Sequence, residues 1–338
     1  MTKYIIEILE GQQFTAGSKA KEDIVNFLQH NGFDKLGIQV PDSNLKRLLS
    51  GNHQWKKALN ILQPNDIVFY QYPAYSRLLG DFFLKQINKK SPVKKILILH
   101  DVDSLRHYQG SPKDIQRELN FFNSFDAIIA HNQKMKTWLT QNHVFPPIIC
   151  LELFDYQEDA AVHEADKSLP ILFAGNLGKS QFLEKLNIAT PLNLFGINQA
   201  EFYPENINYL GSYPSNELGE KLLGSFGLVW DGDSIQECNG VAGEYMKFNN
   251  PHKTSLYLTL GIPVIIWDKA ALGDFVTKHN VGIVIDDLSK LDHTLQDLSE
   301  TDYQVIKQNA IALSKKIRSG HFIKHAVREA IDQIEHTG

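Results

Sequence analysis

The stretch Asn249-Asn-Pro-His-Lys-Thr-Ser-Leu-Tyr-Leu-Thr-Leu-Gly-Ile-Pro-Val-Ile-Ile266 contains a complete helix-to-strand unit. Asn250 is a good N-cap, and Pro251 suits the first helical position, where its missing N–H costs nothing. Leu256, Tyr257 and Leu260 supply an apolar face. Gly261 stops the helix in the left-handed conformation, and Pro263 opens a buried strand. A strand that is apolar without alternation is covered on both faces, as in a parallel sheet sandwiched by helices.

Similar units recur on both sides of this stretch. The first half offers strands at Tyr4–Leu9, Gly37–Val40, Ile67–Tyr70, Ile96–Leu99, Ala127–Ala130 and Ile148–Leu151. Helical spacing lies between them, for example at Ile24, Phe27 and Leu28, and at Leu78, Leu79, Phe82 and Phe83. A second series follows at Ile171–Ala174, Leu192–Phe195, Ile207–Leu210, Gly227–Trp230, Val264–Trp267 and Gly282–Ile285. Strand–helix alternation of this kind gives right-handed βαβ units and doubly wound sheets. The expected domains are an N-terminal Rossmann-like domain over 1–153, an acidic linker over 154–168, and a second Rossmann-like domain over 169–318. A C-terminal helix over 319–338, bent at Ser319-Gly320, is expected to cross back to the first domain. Two such halves facing one another create a cleft at the carboxyl ends of their strands, where open α/β sheets bind ligands.

Length and composition narrow the function classes. The chain has 338 residues, room for two domains at ~100–200 residues each. Its net charge of −5 argues against a nucleic-acid partner held by a basic surface, and against a polybasic membrane clamp. Cys150 and Cys238 are far apart, so a disulfide framework or zinc ribbon is not expected and a cytoplasmic location fits. No apolar run reaches the ~18 residues of a membrane span, and the N-terminus lacks a signal-peptide core.

Several segments can carry chemistry. The helix beginning near Asn250 presents free amides and partial positive charge, with His252 and Lys253 on its first turn. That combination is an anion site suited to a phosphate or diphosphate; the plainer alternative is a helix start with a solvated lysine. Ile171-Leu-Phe-Ala-Gly-Asn-Leu-Gly-Lys-Ser180 runs from a strand through a glycine loop into a helix. Lys179 can neutralise a phosphate there, although the spacing is not that of an NTPase P-loop. The loop Gly11–Lys19 likewise lacks the Gly-x-Gly-x-x-Gly spacing of a dinucleotide fold. Asp101 follows strand Ile96–Leu99 and can accept a proton from a substrate hydroxyl, while neighbouring His100 and Asp103 also suit core and capping roles. Asp231-Gly-Asp233 imitates an Asp-x-Asp metal site but reads mainly as a loop. The histidines show no ligand spacing, so no metal and no cofactor is expected.

The run Asn249–Lys253, followed by Ser-Leu-Tyr-Leu and Gly261-Ile-Pro-Val-Ile, resembles bacterial GT-B sugar-nucleotide transferases, including those labelled galactofuranosyltransferases. The chain is more closely similar to the glucosyltransferases that extend the glycan of serine-rich repeat adhesins in streptococci and lactobacilli. Gly11-Gln12, Leu99-His-Asp-Val102, Phe173-Ala-Gly-Asn176 and Phe226-Gly-Leu-Val-Trp230 extend the likeness along nearly the whole chain.

The resemblance implies a GT-B fold and a UDP-sugar donor held mainly by the C-terminal half. It implies transfer of a hexose, glucose or alternatively GlcNAc, to GlcNAc already linked to Ser or Thr of the adhesin. Such enzymes work in the cytoplasm as homo-oligomers, a tetramer among the expected forms. Carried over by position, Gly17 approaches the donor across the cleft and Asn176 and Lys179 lie near the diphosphate. Phe195 lies near the nucleobase, and Lys253, Thr254 and Ser255 at the phosphates, with Asn250 and His252 beside them. Phe195 and Lys179 depart from an expected tyrosine and arginine, which loses a hydrogen bond and a bidentate contact. The Glu-x7-Glu pair of many retaining relatives is replaced by Phe248 and Leu256. Electrostatic stabilisation of the leaving diphosphate then falls to Lys253, Lys179 and the helix end. Two other function classes fit the same architecture: a non-catalytic glycopeptide-binding partner of another transferase, and a UDP-sugar 2-epimerase.

Overall fold

Every strand expected from the apolar runs is formed, and the strands assemble into two six-stranded sheets in which all neighbours run parallel. The computed structural model describes residues 1–9, 16–40, 43–74, 76–90, 92–107, 111–163 and 166–336. The chain divides into two compact units, one comprising Met1–Leu151 with Phe322–Gly338 and the other Glu152–His321.

The first unit contains β1 (Lys3–Leu9), β2 (Asp34–Gln39), β3 (Ile67–Tyr72), β4 (Lys94–Leu99), β5 (Ala127–Ala130) and β6 (Ile148–Cys150), in the order β2-β1-β3-β4-β5-β6. All six residues of β3 and all four of β5 are buried, because helices cover both faces of the central strands. Trp55, Tyr70, Phe83, Phe121 and Phe125 form one aromatic cluster beside β3. Helix His321–His336 follows Gly320, whose φ of +70° breaks the preceding helix Glu300–Arg318. Phe322, Ile323, Ala326, Val327, Ala330, Ile331 and Ile334 are its buried face, at helical spacing.

The second unit contains β7 (Ile171–Asn176), β8 (Leu192–Ile197), β9 (Ile207–Tyr209), β10 (Gly227–Val229), β11 (Val264–Trp267) and β12 (Gly282–Ile285). Their order is β12-β11-β10-β7-β8-β9. The chain winds outward in one direction from β7 and in the other from β10, so the switch point lies between these two strands. Residues 154–163 have no regular structure, yet they are fastened to this unit. Ser255 donates to the Phe154 carbonyl at 2.7 Å, and Thr259 to that of Tyr156 at 3.3 Å. The Arg318 guanidinium donates to the carbonyls of Thr259, Glu158 and Ala160. Side-chain donors thus satisfy a backbone that has no ladder of its own.

Helix His252–Thr259 is seated on β10 through Tyr257. A Cβ on Gly227 would lie 2.1 Å from the Tyr257 ring, so the ring rests where only glycine leaves room. The Tyr257 hydroxyl accepts the Ala174 amide of β7 at 2.6 Å. Tyr257→Phe keeps the shape and leaves that buried amide without its partner. It is expected to lower stability by ~1–3 kcal/mol in urea denaturation. An unchanged midpoint would mean that the Ala174 amide is satisfied elsewhere.

Candidate active site

At the β7/β10 switch point, the carboxyl ends of the strands face the first turn of helix His252–Thr259. The helix begins at His252, with Pro251 extended (φ −61°, ψ 127°) and its carbonyl accepting the Thr254 amide. Asn250 therefore stands one residue outside the N-cap position expected for it. It is buried, and its side-chain amide donates to the Glu152 carbonyl at 3.1 Å, tying residue 152 to the helix entry. His252 stacks on Phe154, ring centroids 4.4 Å apart.

Lys253 is the centre of the cluster. Its Nζ lies 2.8 Å from Asp231 Oδ1 and 3.1 Å from the Trp230 carbonyl, and 4.3 Å from the centroid of the Phe173 ring. One side chain thus joins β7, the end of β10 and the helix. The cation expected to seek an anion already has one, because a positive charge in a helix's first turn opposes the dipole and Asp231 compensates it. Asp231, read from sequence as part of a loop, is a member of the site. Asp233 is engaged separately with Asn239, which donates to its carboxylate at 2.5 Å and accepts its amide at 2.8 Å.

Thr254 is fully buried, and its Oγ1 has no hydrogen-bond partner among the described residues. Ser255, expected at the phosphates, has its hydroxyl engaged within the second unit. Its hydroxyl donates to Phe154, so it faces the packed segment 154–156 and serves the helix's seating.

The loop after β7 turns through two short 3₁₀ segments, Leu177–Lys179 and Gln181–Glu184, where an α-helix was expected. Asn176 Oδ1 accepts the Gly178 amide at 3.1 Å and the Asn198 side chain at 2.9 Å, which holds the turn closed. Lys179 is exposed, and its carbonyl accepts the Gly232 amide while the Gly232 carbonyl accepts Phe182. The loops after β7 and β10 are therefore bonded to one another, placing Asn176, Lys179, Asp231 and Lys253 on one edge.

Phe195 was expected near the nucleobase. It is 2% exposed within β8 and packs against Tyr213, ring centroids 6.3 Å apart, so it offers no open face to a base. Beside it, Gly196 at φ +146° lies so close to β7 that a Cβ would sit 1.7 Å from the Gly175 carbonyl oxygen. That contact closes the strand ends in this part of the sheet. Buried Cys238 also lies near Lys253 and Asp231, and burial pushes its thiol pKa far up. It stays protonated and is no nucleophile.

Gly17 and Asp101 belong to the first unit. Gly17 is in the first turn of helix Ala16–Gln29, and the preceding loop 10–15, including Gly11-Gln12, lies outside the described residues. Asp101 follows β4, and its Oδ2 accepts a 2.8 Å hydrogen bond from the Arg106 guanidinium, leaving its other lone pairs to take a proton. His100 is buried and bonded to Gln71 at 2.8 Å. Sequence reasoning also passed over Glu118, which is buried and accepts the Tyr72 hydroxyl and the amides of Asp103 and Ser104. The available signal was a carboxylate on the Ile115–Leu119–Phe122 face of helix Pro112–Phe122. Among the described residues, no group of three or more His, Cys, Asp or Glu side chains is placed to hold a metal ion. Nor is any described helix long and apolar enough to cross a membrane.

Two parallel, doubly wound units with a helix N-terminus at the second switch point define the GT-B class of glycosyltransferase folds. An alpha-glucosyltransferase solved in complex with UDP shares this fold, with a TM-score of 0.61 at 12% identity, covering 99% of this chain and 100% of that one. The chain belongs to the glucosyltransferase 3-like family, matching its N-terminal domain over residues 2–153 and its C-terminal domain over 171–330. It is 29% identical to Beta-1,6-galactofuranosyltransferase WbbI of Escherichia coli (strain K12), covering 98% of this chain and 99% of the relative. It is 25% identical to Glucosyltransferase 3 of Streptococcus gordonii, covering 93% and 94%. The protein is a glycosyltransferase.

Lys253→Ala removes the only charged side chain of the first helical turn that is cationic at neutral pH irrespective of a histidine proton. It also leaves Asp231 as an uncompensated negative charge. UDP affinity measured by calorimetry is expected to fall by about 10–100-fold with the fold intact by circular dichroism. Unchanged UDP binding would remove Lys253 from the nucleotide site.

Proposed function

We propose that the protein transfers a hexose from a UDP-sugar to GlcNAc already attached to Ser or Thr of a serine-rich repeat adhesin, without a metal ion. The observation that carries the donor half is Lys253 on the first turn of helix His252–Thr259, at the β7/β10 switch point. Charge developing on a departing UDP meets the amides of that turn and the ammonium group. Fixed donors of this kind need no reorganisation as the bond breaks. Asn176 and Lys179, on the loop bonded to the one bearing Asp231, complete the anion-binding edge. In the first unit Asp101 is the candidate acceptor base, with Arg106 paired to its Oδ2.

Support for glucose as the hexose comes from the streptococcal relatives named Glucosyltransferase 3. A galactofuranosyl donor is a second reading, favoured by the 29% identity to the E. coli protein of that name. The same reading places the enzyme in the cytoplasm as a homo-oligomer. The relatives are named as transferases, which favours transfer over the epimerase and binding-partner alternatives.

UDP release from a panel including UDP-glucose, UDP-GlcNAc and UDP-galactofuranose decides among these readings, with and without a GlcNAc-modified Ser/Thr-rich peptide. Release from UDP-glucose only when the peptide is present is the expected result, unaffected by EDTA. Peptide-dependent release from UDP-galactofuranose instead would establish the second reading. Release without peptide would point to an epimerase or hydrolase, and loss of activity in EDTA would overturn the metal-free mechanism.

A further inference from the structure

Helix Asn44–Ala58 follows β2, the edge strand of the first sheet, and turns leucines away from the core on which it packs. Its inner side is closely fitted. A Cβ on Gly51 would come within 3.0 Å of the Leu79 side chain and 3.1 Å of the Phe82 ring, and Trp55 is fully buried. Asn52 accepts the Gln86 side chain at 2.6 Å, which fastens this helix to helix Arg77–Ile87. Leu45, Leu48 and Leu49 take no part in that packing and are 66%, 56% and 74% exposed. Spaced three and four residues apart, they share one outward face. Ile61, in the 3₁₀ turn that follows the helix, is another exposed apolar side chain.

The charges of this segment have one sign. From Ser43 to Asn65 the sequence contains Lys46, Arg47, Lys56 and Lys57 and no Asp or Glu, within a chain whose net charge is −5. The excess is local, which is why the charge of the whole chain gives no hint of it. Lys56 and Lys57 are exposed in the last helical turn, where cations also complement the helix dipole. Steps of four and three residues lead from Leu49 through His53 to Lys56, so the apolar half of the outer face runs directly into a basic half. Neighbouring lysines add to the same sign. Lys90 donates to Asn60 at 3.3 Å, and Lys89 donates at 3.3 Å to Gln86, the partner of Asn52. Asp66, the next acid in the sequence, accepts the amides of Thr2 and Gln63. Asp81, on the adjoining helix, is paired with Arg117.

We propose that the outer face of helix Asn44–Ala58 docks on an anionic lipid surface, with Leu45, Leu48 and Leu49 entering the headgroup boundary and Lys56 and Lys57 meeting lipid phosphates. Such a surface buries apolar side chains and attracts cations at once, which suits exposed leucines on a helix whose charges are all basic. It also needs no groove shaped to a convex ridge, as a protein partner would. A second copy of this chain fits less well. Pairing two such faces about a two-fold axis sets like charges together, with no acid in the segment to offset them. A nucleic acid would engage the lysines and leave the leucines in water. The proposal goes beyond the transferase reading and does not rest on it.

Co-sedimentation of the full chain with vesicles tests it, using phosphatidylcholine alone or phosphatidylcholine and phosphatidylglycerol in equal parts. Binding to the mixed vesicles is expected to be about tenfold tighter than to the neutral ones, and to weaken as salt is raised. Replacing the leucines, Leu48→Ser with Leu49→Ser, is expected to weaken it by about tenfold or more. Lys56→Gln with Lys57→Gln is expected to lower it by about tenfold, towards the neutral-vesicle level. All four side chains lie at the surface, so UDP affinity and thermal midpoint stay at their wild-type values in both variants. A wild-type chain that binds mixed vesicles no better than neutral ones overturns the proposal, as does vesicle binding that both double variants retain in full. A fall in molecular mass of the leucine variant by sedimentation equilibrium would mean that another copy covers this face, and that too overturns it.

Discussion

The second unit depends on how closely Tyr257 can approach the sheet. Its ring occupies the space above Gly227 that any other residue's Cβ would fill, and its hydroxyl takes the amide of Ala174. β7 and β10 share register only at Leu172 and Gly227, so the Ala174 amide lies beyond their pairing and needs an acceptor from elsewhere. Burial keeps the phenol protonated, which leaves it a neutral acceptor with no charge to solvate. From the opposite side Ser255 and Thr259 hold the carbonyls of Phe154 and Tyr156. Ser314 and Arg318 close over the helix's end through the Thr259 carbonyl. A short helix gains little stability from its own hydrogen bonds, so these contacts are what fix its first turn against the strand ends.

That fixed turn makes the charge on Lys253 a usable one. A lysine in a first turn is opposed by the dipole, and at 13% side-chain exposure it has lost most of its water. Asp231, the Trp230 carbonyl and the face of Phe173 replace what is lost. The ion pair holds the ammonium at the strand ends before any ligand arrives, and the entropy of ordering a long side chain is then already spent in folding. Asp231 also sets a threshold. An anion must interact with Lys253 and the helix amides strongly enough to offset repulsion from a carboxylate 2.8 Å from the ammonium. A group with several anionic oxygens would meet several donors at once here, whereas a lone carboxylate would not.

The sheets were legible in the sequence because their central strands are buried on both faces. β3, β5 and β11 are apolar or aromatic at nearly every position, and no helix of that length has such a composition without polar relief. The first turn carrying His252 and Lys253 was legible for a related reason, since Pro251 and Gly261 bracket it. What escaped was set by contacts distant in the chain. Ser255 turns its hydroxyl to a carbonyl 101 residues earlier, in a stretch whose acidic composition reads as a linker. Asp231 meets Lys253 across 22 residues and the loop between β10 and the helix. Phe195 is hidden by Tyr213, which follows the next strand, so its burial is a property of the folded sheet and not of its neighbours in sequence. Glu118 left a trace, a carboxylate on an apolar helix face, but its meaning depends on Tyr72 lying opposite.

The two units repeat one winding pattern and differ in the charge they bring to their strand ends. In the second unit the edge beside β10 combines helix amides with Lys253 and Lys179, against the single nearby carboxylate of Asp231. In the first unit the wall beyond β3 and β4 carries a surplus of carboxyl groups, with the guanidiniums of Arg77 and Arg117 already paired. A negative group would meet fixed donors at one edge and mostly acceptors at the other, so charge sorts what each edge can take. Sorting of this kind needs no difference in fold. It follows from which side chains stand just past the ends of equivalent strands.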